Sequence, residues 1–168
     1  NKEMLRQYTP RFAELPNWST AGSTGDGIKM GVEAGAEVKN SDAVLLSSVA
    51  MARKGSRIRS IPETLHLGAI LVNNQGQRFV DENRGYQGTA LPMLAQPNGE
   101  AFLVFDENIE QKVERMHRLL DEYLSKGMLL KARTSGELAG LAGIDPRAFV
   151  ATVEQGHFSG DLFGTWVR

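Results

Sequence analysis

Two short stretches of this chain carry residue types that can do chemistry. Residues 23–36 read Ser-Thr-Gly-Asp-Gly-Ile-Lys-Met-Gly-Val-Glu-Ala-Gly-Ala, a glycine-flanked turn that runs into a helix. Gly22, Gly25 and Gly27 let the backbone bend sharply and keep side chains out of a ligand's way. Asp26 stands at the mouth of the helix, where a carboxylate can cap free N–H groups or accept from a ligand hydroxyl. A capped amphipathic helix with no ligand accounts for the same residues. The second stretch is Glu63-Thr-Leu-His66. A Glu and a His three apart share one helical face, so their titrations could couple.

The elements that must position these groups follow from periodicity. Residues 1–8 form a short helix-like run, and Pro10 and Pro16 then break regularity. Ile28, Val32 and Ala36 recur at helical spacing, predicting a helix over 24–38. Residues 42–52 read as a strand. Residues 67–73 and 77–80 flank the turn residues Asn73 to Gly76 and predict a hairpin that ends in Asp81 and Glu82. Texture changes there. A short helix over 83–95 is ended by Pro97 and Gly99. Residues 100–105 are almost continuously apolar and predict a buried strand. A long amphipathic helix over 107–124 carries Ile109, Val113, Met116, Leu119, Leu120 and Tyr123 on one side. Thr134 with Glu137 forms a capping box, and Gly143 ends that helix. Asp145 and Pro146 then start a last one.

Composition sets bounds. At 168 residues, with 41% hydrophobic and 23% charged residues, the chain is long enough for its own core. A net charge of −1 gives no overall field for nucleic acid or an anionic membrane. The basic residues within 53–59 read as a solvated loop, or as a face for an anionic ligand or a neighbouring domain. With no cysteine, disulfides, thiolate nucleophiles, thiolate metal sites and flavin attachment through sulfur are excluded within the chain. No apolar run is long enough to span a membrane. His117 and His157 are isolated and read as surface residues, and no spacing suggests a metal site.

The Ser-Thr-Gly-Asp-Gly helix, followed by Gly-Ala-Ile-Leu-Val-Asn-x-x-Gly-x-Arg-Phe-Val-Asp-Glu, resembles one family closely. It is similar to the flavoprotein family of fumarate reductases, succinate dehydrogenases, urocanate reductases and 3-ketosteroid dehydrogenases. The resemblance continues through Phe102-Leu-Val-Phe-Asp106, Thr134-Ser-Gly-Glu-Leu-Ala139, Ile144-Asp-Pro, Thr152-Val-Glu and Gly160-Asp-Leu-Phe-Gly164, covering nearly the whole chain in order. It implies an α+β fold in two parts. Residues 1–80 would be a partial FAD-binding domain segment. Residues 81–168 would be a mostly helical capping domain with a small sheet, lying over a small-molecule substrate. It also implies a middle piece that lacks the Gly-x-Gly-x-x-Gly turn for FAD pyrophosphate. Such a piece is expected to be inert alone, to hold FAD weakly, and to self-associate through apolar faces that await the rest of the FAD domain.

The resemblance assigns roles residue by residue. Thr24, Gly25 and Asp26 match the FAD-contacting turn. Glu63 and His66 lie near the family's proton-relaying Glu-Thr-x-Arg segment, one residue closer to the strand, with His in place of Arg. An ungapped match puts Pro62 and Leu65 there instead, with no relay. Four residues past Glu82, where fumarate reducers carry a proton-delivering arginine, this chain has Tyr86. That is closer to the ketosteroid dehydrogenases, and a phenol can donate or accept a proton. A tyrosine packed between cap and base is the other reading, and Arg84, two residues away, is the alternative donor. The reductases' His-Pro is missing from residues 47–53, which argues against fumarate or succinate. The implied activity is FAD-dependent reduction or desaturation of a carbon–carbon bond next to a carbonyl or carboxylate. The alternative is a non-catalytic binding module with a cap-like fold.

Overall fold

A computed structural model describes residues 1–17, 19–41, 43–48, 50–51, 59–117 and 120–167, with the side chains of residues 50–51, 59–60, 86 and 114–117 outside the description. The chain divides into two compact units, Asn1–Leu45 and Leu46–Arg168.

In the first unit, helix α1 spans Lys2–Tyr8, and the Asn1 side chain caps it by accepting the amides of Glu3 and Met4. Asn1 Nδ2 also donates to the Thr24 carbonyl at 2.9 Å, tying α1 to the glycine-rich turn. Helix α2 spans Asp26–Glu33, shorter than the 24–38 its periodicity predicts. The cause is Gly35 at φ 89°. Its amide bonds the Val32 carbonyl at 2.9 Å, and the Ala36 amide bonds the Gly31 carbonyl at 2.8 Å. This paired closure satisfies the last carbonyls and turns the chain out of the helix. No residue of α2 is buried, and Ile28, Met30 and Val32 are 48%, 67% and 42% exposed.

The second unit is built on a four-stranded antiparallel sheet of order β3-β4-β6-β5. Its strands are β3 Ile70–Val72, β4 Ala101–Asp106, β5 Leu130–Ala132 and β6 Leu162–Val167. Strand β4 alternates strictly between two cores. Ala101, Leu103 and Phe105 join Leu71, Leu65, Ile109, Val113 and Tyr123. Phe102 and Val104 join Val72, Leu138, Phe149 and Val153. Both faces of the sheet are therefore covered, which is why the strand is apolar at every position from Ala101 to Phe105 instead of at every second one. One face takes α3 Glu63–His66, α5 Glu107–His117 and α6 Leu120–Ser125; the other takes α7 Ser135–Ala142 and α8 Pro146–Glu154. Helix α4 spans Gly85–Leu94, and a two-stranded ribbon pairs β1 Ala50–Met51 with β2 Arg59–Ser60. The architecture is α+β, as expected.

Local signals at the later helices hold. The Glu137 amide bonds Thr134 Oγ1 at 3.2 Å, while Glu137 Oε2 accepts from the Arg133 amide at 3.0 Å. Asp145 Oδ1 accepts from the Arg147 amide at 2.8 Å, with Pro146 in the first turn. Elsewhere tertiary pairing overrides the local reading. Of the strand expected over 42–52, the described residues keep only Ala50–Met51. Residues 67–73 and 77–80 do not form a full ladder: Val72 and Arg78 make one bridge, and β3 pairs with β4 instead. Strands β5 and β6 have no counterpart in the sequence reading. Gly164 disguises β6 as a turn, yet in the strand it leaves the space that the Phe102 ring fills. The basic cluster at 53–59 lies largely outside the described residues. Strand β3, which precedes residue 81, shares a sheet with β4, which follows it.

Candidate cofactor turn and proton-transfer site

The turn at residues 24–26 is held open by its backbone. Gly25 is left-handed, with φ 83°, and lies against the end of the Met4 side chain, which would have to move for a Cβ. That left-handed conformation favours glycine. Asp26 takes the first helical position, not the cap, and its Oδ2 accepts the Thr24 hydroxyl at 2.6 Å. Thr24, Asp26 and Gly27 are all exposed, and a Cβ at Gly22 or Gly27 would meet nothing within 4 Å. A threonine hydroxyl and a carboxylate thus share one accessible surface at a helix start. That donor and acceptor set fits a hydroxyl-bearing cofactor lying along the turn.

In the second unit the elements that carry the other expected residues pack together. Helix α3 packs against the 3-10 turn Glu82–Arg84 and the first turn of α4. His66 is exposed, and its Cε1 lies 3.8 Å from where a Cβ on Gly85 would stand. Gly85 joins the 3-10 turn to α4 at φ 70°, ψ 173°, a conformation essentially confined to glycine. Arg84 and Tyr86 flank it. Arg84 is exposed, and its Cβ occupies the space that the absent side chain of Gly88 leaves, one turn on. Glu63 is half-buried at the start of α3. The structure places the backbone of Tyr86 in the first turn of α4. Leu65, the arginine position in the ungapped match, is 3% exposed and belongs to the core.

Sequence reasoning gave Glu82 and Arg78 no role of their own. Glu82 is only 3% exposed, and its Oε1 accepts the Leu71 amide of β3 at 2.7 Å. Arg78 Nε donates to Glu82 Oε2 at 2.9 Å, and Arg78 Nη2 donates to the same oxygen. The hydrogen bond to Glu82 pushes the Arg78 guanidinium above its usual range; this outweighs the opposing effect of partial burial, and the charges of Glu82 and Asp81 add to it. A base four residues before a buried acid was the available signal. The hairpin tip is anchored too: Thr152 Oγ1 donates to the Gly76 carbonyl at 2.7 Å, and Asn73 Oδ1 accepts the amides of Gln75 and Gln77 at 3.0 Å. His157 is exposed, and the side chain of His117 lies outside the described residues. Among the described residues no cluster of His, Asp or Glu could hold a metal ion, and no helix is long and apolar enough to cross a membrane.

The family described as the FAD binding domain matches residues 1–157, and the chain belongs to that family. An NADH:fumarate oxidoreductase of Klebsiella pneumoniae (strain 342) is 32% identical over 155 residues, covering 92% of this chain and 16% of the relative. A 3-oxosteroid 1-dehydrogenase of Mycobacterium tuberculosis (strain ATCC 25618 / H37Rv) is 27% identical over 171 residues, covering 92% of this chain and 30% of the relative. The open conformation of a flavocytochrome c3 fumarate reductase superposes with a TM-score of 0.72 at 23% identity, over 99% of this chain and 32% of that one, which shows a shared fold. The chain thus spans less than a third of these relatives.

Proposed function

We propose that this chain is part of an FAD-dependent oxidoreductase that adds or removes hydrogen across a carbon–carbon bond next to a carbonyl or carboxylate. The observation that carries the reading is the meeting of α3 with the 84–86 turn at Gly85, in a chain whose family binds FAD. Thr24, Gly25 and Asp26 would hold the cofactor through the hydroxyl, the open backbone and the carboxylate described above. FAD, when bound, supplies or accepts the hydride. The remaining work is the chain's own. In the reducing direction hydride reaches the carbon β to the activating group, and the Tyr86 phenol delivers its proton to the α carbon. His66, exposed to water, returns a proton to the phenol, with Glu63 on the same short helix. Arg84 is the alternative donor, and in the desaturating direction each transfer runs backward.

The missing histidine in residues 47–53 and the tyrosine at position 86 favour a substrate other than fumarate. In this reading the first unit carries the cofactor turn, the segment from residue 81 onward covers the substrate, and the chain alone is inert. The test is to purify the whole protein that contains this chain, record its flavin spectrum, and assay fumarate against a cyclic enone. A flavin band with turnover of the enone and none of fumarate supports the reading. A colourless protein, or rapid fumarate reduction, contradicts it.

A further inference from the structure

We propose that Glu82 is a positioning residue for proton transfer, aiming the 84–86 turn by locking it to strand β3. The inference rests on the reading that residues 84–86 exchange the proton. Glu82 lies two residues before Arg84 and four before Tyr86, and it opens the 3-10 turn whose last residue is Arg84. Its carboxylate is buried, it accepts the Leu71 amide at 2.7 Å, and it takes a bidentate grip from Arg78. Leu71 is fully buried at the centre of β3, paired with Leu103 of β4. The turn is therefore pinned to the buried backbone of β3 through a side chain, not through a continuous strand.

Three further features make the lock directional. Asp81 caps the 3-10 turn by accepting the Asn83 amide at 3.1 Å. Gly85 then redirects the backbone through a conformation available to glycine. Finally, Arg78 sits on the far limb of the former hairpin, joined to β3 by its bridge to Val72. Once β3 holds Glu82, the 3-10 turn and Gly85 together set where Arg84 and the first turn of α4 begin. Charge on Glu82 matters for this. Arg78 needs a carboxylate to form two parallel bonds, and a neutral amide would keep the Leu71 contact but lose the grip.

The distinguishing experiment is a double-mutant cycle in the whole FAD-loaded protein, read as the single-turnover rate of flavin reduction or reoxidation with substrate. Glu82→Gln, Tyr86→Phe and the double variant are compared, with flavin content and KM followed for each. Glu82→Gln is expected to slow the chemical step about tenfold to a hundredfold, as misplacement by about an ångström does, while KM and flavin content stay within about twofold. In the Tyr86→Phe background the same change is expected to cost less than about twofold, because the group it aims is already gone. Equal losses in both backgrounds would overturn the inference, since general damage multiplies. So would an undiminished rate in Glu82→Gln when Tyr86→Phe is slow. If Glu82→Gln does not fold, Arg78→Gln replaces it, because that side chain is half exposed and its loss leaves the Leu71 bond in place. Arg78→Lys should then recover part of the rate, and no recovery would count against the inference. A fully active Tyr86→Phe with a fully active Arg84→Gln rejects the underlying proton-transfer reading, an outcome separable from the others.

Discussion

His66 Cε1 lies 3.8 Å from the point that a Cβ on Gly85 would occupy, so a side chain suited to proton exchange stands against the glycine between Arg84 and Tyr86. That distance is ordinary van der Waals contact, so alanine at 85 would not clash with the ring. The cost lies in the backbone, at φ 70° and ψ 173°. Gly85→Ala is expected to destabilise the protein by about 1–3 kcal/mol, or to shift the turn and slow catalysis while leaving flavin bound. Chemical unfolding and a flavin spectrum on the same preparation measure both effects. An alanine variant with unchanged stability and rate would show that the turn does not depend on glycine.

The two ends of the glycine scale give a paired stability prediction. A Cβ at Gly76 would stand 2.6 Å from the Phe149 backbone nitrogen, and φ there is 76°. Gly76→Ala should cost about 1–3 kcal/mol for overpacking against α8, in addition to left-handed strain. Gly140, inside α7, has nothing within 4 Å of its missing Cβ. Gly140→Ala should stabilise by about 0.5–1 kcal/mol, because the unfolded chain loses freedom and the helix gains propensity. Denaturant midpoints of the two variants must move in opposite directions.

The cofactor turn makes its own demand. Asp26→Ala removes the acceptor of the Thr24 hydroxyl, and Thr24→Val removes the donor. Each is expected to weaken FAD retention in the whole protein by about tenfold, about what one charge-assisted hydrogen bond supplies, with little change in unfolding midpoint because both side chains are exposed. Equilibrium dialysis of the flavin measures the first quantity. Full retention in both variants would remove the turn from the cofactor site.

Glu14 supplies a pH prediction. The Arg6 hydrogen bond, then the charges of Arg6 and Lys2, hold its carboxyl below the usual glutamate range. A lowered carboxyl favours the folded form above the unfolded-state pKa, and that preference is lost as pH falls through the lower folded value. The carboxyl is fully exposed, so the effect should appear in its titration and weaken with salt. Carbon-detected NMR should place its midpoint below that of an isolated glutamate, and Arg6→Gln should raise it. A midpoint unaffected by Arg6→Gln would contradict the pairing.

Legibility differed by the kind of signal. Caps and stops at Thr134, Gly143 and Asp145 are local, and local chemistry decided them. The buried strand at 100–105 was legible because an element covered on both faces must be apolar throughout. Strand β6 was not, since Gly164 is explained only by the Phe102 ring across the sheet. The hairpin over 67–80 misled for the same reason: Ile70, Leu71 and Val72 find their main partners in β4, thirty residues on. At the site, residue types pointed to Glu63, His66, Arg84 and Tyr86, and packing joins α3 to the 84–86 turn. Glu82 escaped notice because its worth is a bond to the backbone of Leu71, and side-chain-to-backbone bonds leave little trace in residue spacing.

The most direct measurement of the central claim is the single-turnover rate of hydrogen transfer in the whole FAD-loaded protein with Tyr86→Phe. Removing one phenol oxygen should slow the step by about a hundredfold or more, with flavin content and substrate affinity unchanged. A Tyr86→Phe enzyme that transfers hydrogen at the parent rate would remove Tyr86 as the donor, and an equally fast Arg84→Gln beside it would contradict the account.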